Sequence, residues 1–225
     1  WGRFRPFEQV PDVDPSAPNV RVLDLDGDGH ADLLVTEHDV LRWYPNQTTK
    51  GYGAPKTVRV PHSDDDGPRV VFASDSESLF LADMSGDGLT DLVRVRNRSI
   101  CYWPNLGYGR FGAKVTMGSA PSFGHPGRFD PARVQLADVD GSGPADLVYL
   151  GPDHVRIWRN ASGNGFGAAE EVTRLPGVDD ARTVQVADLL GDGTACLVWS
   201  SALLTDRHRP LRYLRLMADG KPHLL

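Results

Sequence analysis

Nine residues, Asp24-Leu-Asp-Gly-Asp-Gly-His-Ala-Asp32, constrain this chain more than any other stretch. They place acids at loop positions one, three, five and nine, and glycines at four and six. In a tight coil, side chains at alternate positions converge on one centre. A hard cation such as calcium gathers about six to eight oxygens at about 2.3–2.6 Å, from carboxylates, carbonyls and water. Gly27 and Gly29 suit the positive φ angles of the coil, which a Cβ would penalise. The expected ligands are Asp24, Asp26, Asp28, the backbone carbonyl of His30, and Asp32.

The pattern returns at Asp83-Met-Ser-Gly-Asp-Gly-Leu-Thr-Asp91 and Asp138-Val-Asp-Gly-Ser-Gly-Pro-Ala-Asp146. The matching ligands are Asp83, Ser85, Asp87, Leu89 (through its carbonyl) and Asp91, then Asp138, Asp140, Ser142, Pro144 (through its carbonyl) and Asp146. A fourth copy, Asp188-Leu-Leu-Gly-Asp-Gly-Thr-Ala-Cys196, lacks oxygen ligands at positions three and nine and reads as a structural turn. An EF-hand begins in the same way but needs a bidentate Glu at position twelve and flanking helices. Position twelve is Val35, Arg94 and Tyr149 in the three intact loops, and the flanks are short and β-rich. Asp and Gly also dominate ordinary turns, so one copy alone would say little. Three copies that keep an acid at position nine, beyond the turn, point to Ca2+.

The first aspartates, at 24, 83, 138 and 188, are 59, 55 and 50 residues apart. A period near fifty with several strands per unit signals a propeller. Trp43, Trp103 and Trp158 follow their loop starts by 19, 20 and 20 residues, and Gly53, Gly112 and Gly167 each by 29. One tryptophan per unit suits inter-blade packing, which leaves Trp1, Trp199 and Tyr52 outside the register and free for other uses. Each unit reads as four strands: one into the loop, one out of it, one carrying the tryptophan, and one after the aromatic-glycine turn. The expectation is an all-β propeller of four-stranded blades spanning residues 1–225. It comprises a blade remnant at 1–18 and repeats at about 19–77, 78–132, 133–181 and 182–225. Gly2-Arg-Phe-Arg-Pro-Phe matches Gly109-Arg-Phe-Gly-Ala-Lys, so the chain is expected to start in mid-repeat, either with its first strand closing a small ring on the last blade or, the favoured reading, as a segment of a longer protein.

Composition removes several function classes. The net charge of −6 is local, because ten acids occupy ligand positions and the remainder is net positive, so no nucleic-acid partner is indicated. No run of eighteen apolar residues forms a membrane span, and Trp1-Gly-Arg-Phe-Arg-Pro lacks the apolar core of a secretory signal. Cys101 and Cys196 read as two buried thiols rather than a disulfide framework. The seven histidines show no zinc spacing, and no nucleophile elbow or phosphate cradle is present. The chain is therefore expected not to be an enzyme. Arg94, Arg96 and Arg98 read as a solvated strand face, and Ser63-Asp-Asp-Asp-Gly67 as a solvated loop.

Phenylalanine-glycine, glycine-alanine-proline and the Asp-x-Asp-Gly-Asp-Gly-x-x-Asp loop together resemble the FG-GAP/VCBS repeat of integrin α-chain propellers and bacterial surface proteins. Within that group, four stretches are similar to the B component of bacterial insecticidal toxin complexes (Tc toxins) and related virulence-plasmid B proteins. They are Trp43-Tyr-Pro-Asn46, Tyr102-Trp-Pro-Asn-Leu-Gly-Tyr-Gly-Arg-Phe-Gly112, Ala137–Tyr149 and Arg212–Leu225. The resemblance implies a secreted, extracellular bacterial propeller without chemistry of its own, which helps build a shell around toxic cargo. The implied partners are other protein subunits of a toxin complex or surface assembly. The alternative is an adhesin or lectin-like propeller that binds glycan or a cell-surface receptor.

Overall fold

A computed structural model describes residues 2–37, 39–69, 78–124, 129–152, 154–173, 180–200, 208, 211–217 and 222–223. Among the described residues, sixteen strands form four four-stranded sheets. The first sheet holds Val20–Leu23 (β1), Asp32–Thr36 (β2), Val40–Tyr44 (β3) and Lys56–Arg59 (β4). The second holds Ser78–Ala82 (β5), Asp91–Arg96 (β6), Ser99–Trp103 (β7) and Val115–Thr116 (β8). Val134–Ala137 (β9), Asp146–Leu150 (β10), His154–Asn160 (β11) and Phe166–Thr173 (β12) make the third. Gln185–Ala187 (β13), Cys196–Ser200 (β14), Leu211–Arg215 (β15) and Pro222–His223 (β16) make the fourth. Strand order follows chain order in every sheet, and every pair whose register is described is antiparallel. This is the up-and-down blade of a β-propeller, the fold class the repeats imply.

Burial follows strand position. β2 and β10 are buried at all five residues, which explains why Leu33-Leu-Val and Leu147-Val-Tyr are continuous apolar runs rather than alternating ones. β4, at a sheet edge, is Lys56-Thr-Val-Arg59 and mostly exposed, with charged residues at both ends. Charged edges of this kind discourage pairing with a foreign strand.

The chain divides into two compact units. One comprises Trp1–Leu81, Gly88–Arg94 and Cys101–Val115; the other comprises Ala82–Asp87, Val95–Ile100 and Thr116–Leu225. The core of the first gathers Leu25, Leu34, Leu41, Trp43, Leu92 and Trp103. The core of the second gathers Val139, Val148, Val155, Ile157, Leu197 and Trp199, among others.

Four expectations need correction, and side-chain geometry gives the reason for each. The tryptophans do not share one register. Asn46, Asn105 and Asn160 each lie 22 residues after their first aspartate, and Trp103 and Trp158 precede their asparagine by two positions, Trp43 by three. Successive residues of a strand face opposite sides, so Trp43 takes the place of Ile157, and both are core residues. Trp158 instead meets Phe123 edge-on, with ring centroids 5.9 Å apart.

Trp199 is not free for other uses: it is 3% exposed and belongs to the core of the second unit. Tyr52 packs edge-on against Phe7, and Trp1 lies outside the described residues. The Ser63–Gly67 stretch is not simply a solvated loop. Asp64 accepts from Arg94 Nη2 at 2.8 Å, and its carbonyl accepts from Trp103 Nε1 at 2.8 Å. Arg94 is accordingly not on a solvated face: its side chain is 13% exposed and lies over the Trp103 ring. Arg96 and Arg98 are exposed as expected.

Candidate metal centres

The four Asp-Gly loops share one hydrogen-bonded frame. Their glycines at positions four and six all have positive φ, between +70° and +107°, which is why no other residue type recurs there. The first aspartate accepts the amide of the residue three positions on: Gly27 at 2.8 Å, Gly86 at 2.7 Å, Gly141 at 2.8 Å and Gly191 at 2.7 Å. Its second oxygen accepts from Gly29, Gly143 and Gly193 in loops one, three and four, at 2.8, 2.8 and 2.9 Å. Loop four keeps this frame although Leu190 and Cys196 stand at positions three and nine.

The acid at position nine plays a separate part. Asp32, Asp91 and Asp146 are 1%, 0% and 1% exposed. Each accepts the backbone N–H of the register asparagine: Asn46 at 2.6 Å, Asn105 at 2.8 Å and Asn160 at 2.7 Å. In loops one and three its other oxygen accepts the amide at position two, from Leu25 at 3.1 Å and Val139 at 3.4 Å. The asparagine side chains return the tie, since Asn46 and Asn160 Nδ2 donate to the carbonyls of Ala31 and Ala145, both at position eight. The acid at nine thus staples the loop to the end of the third strand, and needs no metal to account for it. Burial pushes the carboxyls of Asp32 and Asp146 above the ordinary aspartate range. The sequence carried the signal for this staple in its recurrent Trp-Tyr-Pro-Asn, Tyr-Trp-Pro-Asn and Ile-Trp-Arg-Asn runs, but not its meaning.

Two groups of carboxylates among the described residues could hold a metal ion: Asp24, Asp26 and Asp28, and Asp138, Asp140 and Asp146, each with ligand atoms within 4.8 Å of one another. Within loop one, Asp28 Oδ1 accepts the His30 amide at 2.8 Å. Asp26 Oδ1 is buried without a hydrogen-bond partner. A buried carboxylate oxygen left unsatisfied is costly, and a bound cation would satisfy it. Loop one therefore suits calcium by donor chemistry and by this orphaned oxygen. In loop two, Asp83 is half-buried and Asp87 exposed, while Asp91 is held in its staple.

Loop three has the same kind of acids but a different neighbour. Arg159 Nη1 lies 3.1 Å from Asp146 Oδ2 and 3.5 Å from Asp140 Oδ2. Sequence reasoning missed this residue. Its signal is the arginine before Asn160, where Pro45 and Pro104 precede the other two register asparagines.

The FG-GAP-like repeat profile matches residues 24–93 and 138–199. No curated protein sequence matches the chain. Among solved structures, the chain is similar to a component of the Photorhabdus luminescens Tc holotoxin pore, at 33% identity and a TM-score of 0.76 over 95% of its own length. It spans only 9% of the length of that chain. A TcdB2-TccC3-Cdc42 structure aligns at 22% identity and a TM-score of 0.57, with 92% of this chain and 14% of that one covered. An Agrocybe aegerita lectin that recognises non-reducing terminal N-acetylglucosamine aligns at 20% identity and a TM-score of 0.58, covering 91% of this chain and 50% of the lectin. These last two likenesses show the fold alone.

Proposed function

The chain belongs to the FG-GAP-like repeat family, and from that premise we propose that it is a non-catalytic, calcium-stabilised propeller scaffold of a secreted bacterial toxin complex, where it assembles with other protein subunits. The observation that carries the reading is the likeness to the Photorhabdus Tc holotoxin component, 33% identical across 95% of this chain. Exposed apolar side chains support a role in protein contacts: Val10 and Val22, 72% and 54% exposed, line one shallow groove with Phe7 and Tyr52. Apolar groups left in water beside one another are characteristic of contact surfaces. No helix among the described residues is long and apolar enough to cross a membrane.

Absence of chemistry is part of the proposal. A cleft of about 450 Å³ has Asp39, Arg59, Val60, Pro61, His62 and Arg69 among its described lining residues, and among these no nucleophile stands beside a base. Arg69 there donates to the carbonyl of His62 at 2.7 Å rather than facing a substrate. The carboxylate clusters belong to the loops and serve their geometry.

Calcium's role in the proposal is structural. Asp24, Asp26, Asp28, the His30 carbonyl and Asp32 would hold the ion in loop one, and by the same pattern Asp83, Ser85, Asp87, Leu89 and Asp91 in loop two. The ion would relieve repulsion among the acids and fix β1 against β2. The experiment is a binding assay of the purified chain against a TccC3-type toxin component, run beside a glycan array. Saturable binding to the protein component with a blank array is the expected result. Saturable glycan binding without protein association would replace the scaffold reading with the lectin one.

A further inference from the structure

We propose that Arg159 is the resident cation of loop three, holding the place that calcium holds in loop one, so that the chain's loops fall into a metal-taking class and a self-neutralised class. The inference deepens the calcium reading and rests on it for loop one, but its own argument comes from loops three and four.

The guanidinium of Arg159 reaches both Asp140 and Asp146 through Nη1, and its Nε lies 3.3 Å from Glu170 Oε1. The Arg159 side chain is 21% exposed and Asp146 1%, so the pair lies largely out of water, where screening is weak. The oxygens of Asp138 accept three amides, from Gly141, Ser142 and Gly143 at 2.8, 3.0 and 2.8 Å. Asp140 and Asp146 are therefore compensated by the arginine, and Asp138 by backbone amides. A divalent cation entering this group would meet a fixed positive charge already bonded to two of its three carboxylates. A guanidinium stays protonated at any accessible pH and cannot step aside by losing its proton.

Loop four supplies the precedent inside the same chain. It lacks oxygen ligands at positions three and nine, yet keeps the frame on Asp188. Arg215 Nη2 lies 2.6 Å from Asp192 Oδ2, at position five of that loop. The sheet registers put the two arginines in equivalent places. Leu147 pairs with Trp158, and Leu197 with Leu214; the next residues along the third strands are Arg159 and Arg215. In the first sheet Leu33 pairs with Tyr44, and the next residue is Pro45. Before Asn105 it is Pro104. The residue opposite position nine is thus proline in loop one and arginine in loops three and four, and the same sequence offset gives proline for loop two. A proline offers no charge, and the arginine in each case contacts an acid of its own loop.

The test counts calcium bound to the intact chain by isothermal titration, with melting temperatures in calcium and in chelator as a second readout. Asp24→Asn with Asp28→Asn should remove one equivalent, whereas Asp138→Asn with Asp140→Asn should remove none. Arg159→Gln should melt lower in chelator, gain one calcium equivalent, and recover its melting temperature when calcium is added. Loss of an equivalent in the Asp138/Asp140 variant would overturn the proposal, as would an Arg159→Gln protein that gains none. If Arg159→Gln does not fold in chelator, the Asp138/Asp140 count against native Arg159 still decides. No loss in the Asp24/Asp28 variant would instead remove the calcium reading of loop one, an outcome separate from both.

Discussion

Asp32 differs from the loop's other acids in being buried and in tying the loop to a residue outside it, Asn46. It is a proposed metal ligand, and it also accepts the amides of Leu25 and Asn46 while 1% exposed. Replacing it with Asn turns one acceptor into a donor that faces an amide. In chelator, where no metal contributes, Asp32→Asn should therefore lose about 1–3 kcal/mol in urea unfolding. A loss seen only in calcium would make the residue a ligand and nothing more. The cysteines give a second prediction. Cys101 and Cys196 are free thiols, 5% and 1% exposed, and burial pushes both above the ordinary thiol range. A raised pKa keeps the unreactive protonated form at neutral pH. Both should react slowly with a thiol reagent at pH 7–8 in the native protein and promptly in denaturant; fast native labelling of either would contradict the burial described.

At the scale of the element, turns decide more than strands. Gly109 has φ +73°, and a Cβ there would sit 2.6 Å from the Trp43 ring. Gly109→Ala combines a strained backbone with overpacking of the buried Trp43, and should cost about 1–3 kcal/mol, read as a lowered urea midpoint. A neutral effect would mean that the Trp43 side chain is not held where the core places it. The four-stranded sheets were legible in the sequence because each Asp-Gly loop separates two short apolar runs, and those runs became β1 and β2, β9 and β10. The tryptophan register was not legible. Trp43 and Trp158 differ by one position, and only strand pairing, Trp43 with Leu34 but Trp158 with Leu147, shows that a one-residue step sends the ring to the other face. Likewise the aspartate run at 64–66 carries no mark of its contact with Arg94, a tie 30 residues distant along the chain.

Over the whole molecule, the FG-GAP-like fold carries the proposed scaffold role, and calcium in the first loop is proposed to stabilise it. The convergence of Asp24, Asp26 and Asp28 was legible because spacing within one turn is local: positions one, three and five lie together, and these three carboxylates do gather. Arg159 was not, since its partnership with Asp140 and Asp146 depends on which residue the third strand sets beside the loop. The most direct measurement is a thermal melt of the chain in 10 mM calcium against excess chelator, with Asp24→Asn plus Asp28→Asn as the control. For a dissociation constant of about 10⁻⁴ M, a hundredfold excess adds about 2.7 kcal/mol. In a chain of this size that corresponds to roughly 5–11 °C. The expected result is a shift of at least that order, reduced by loop one's share in the double variant; equal melting with and without calcium, or a double variant that shifts as much as the native chain, would contradict it.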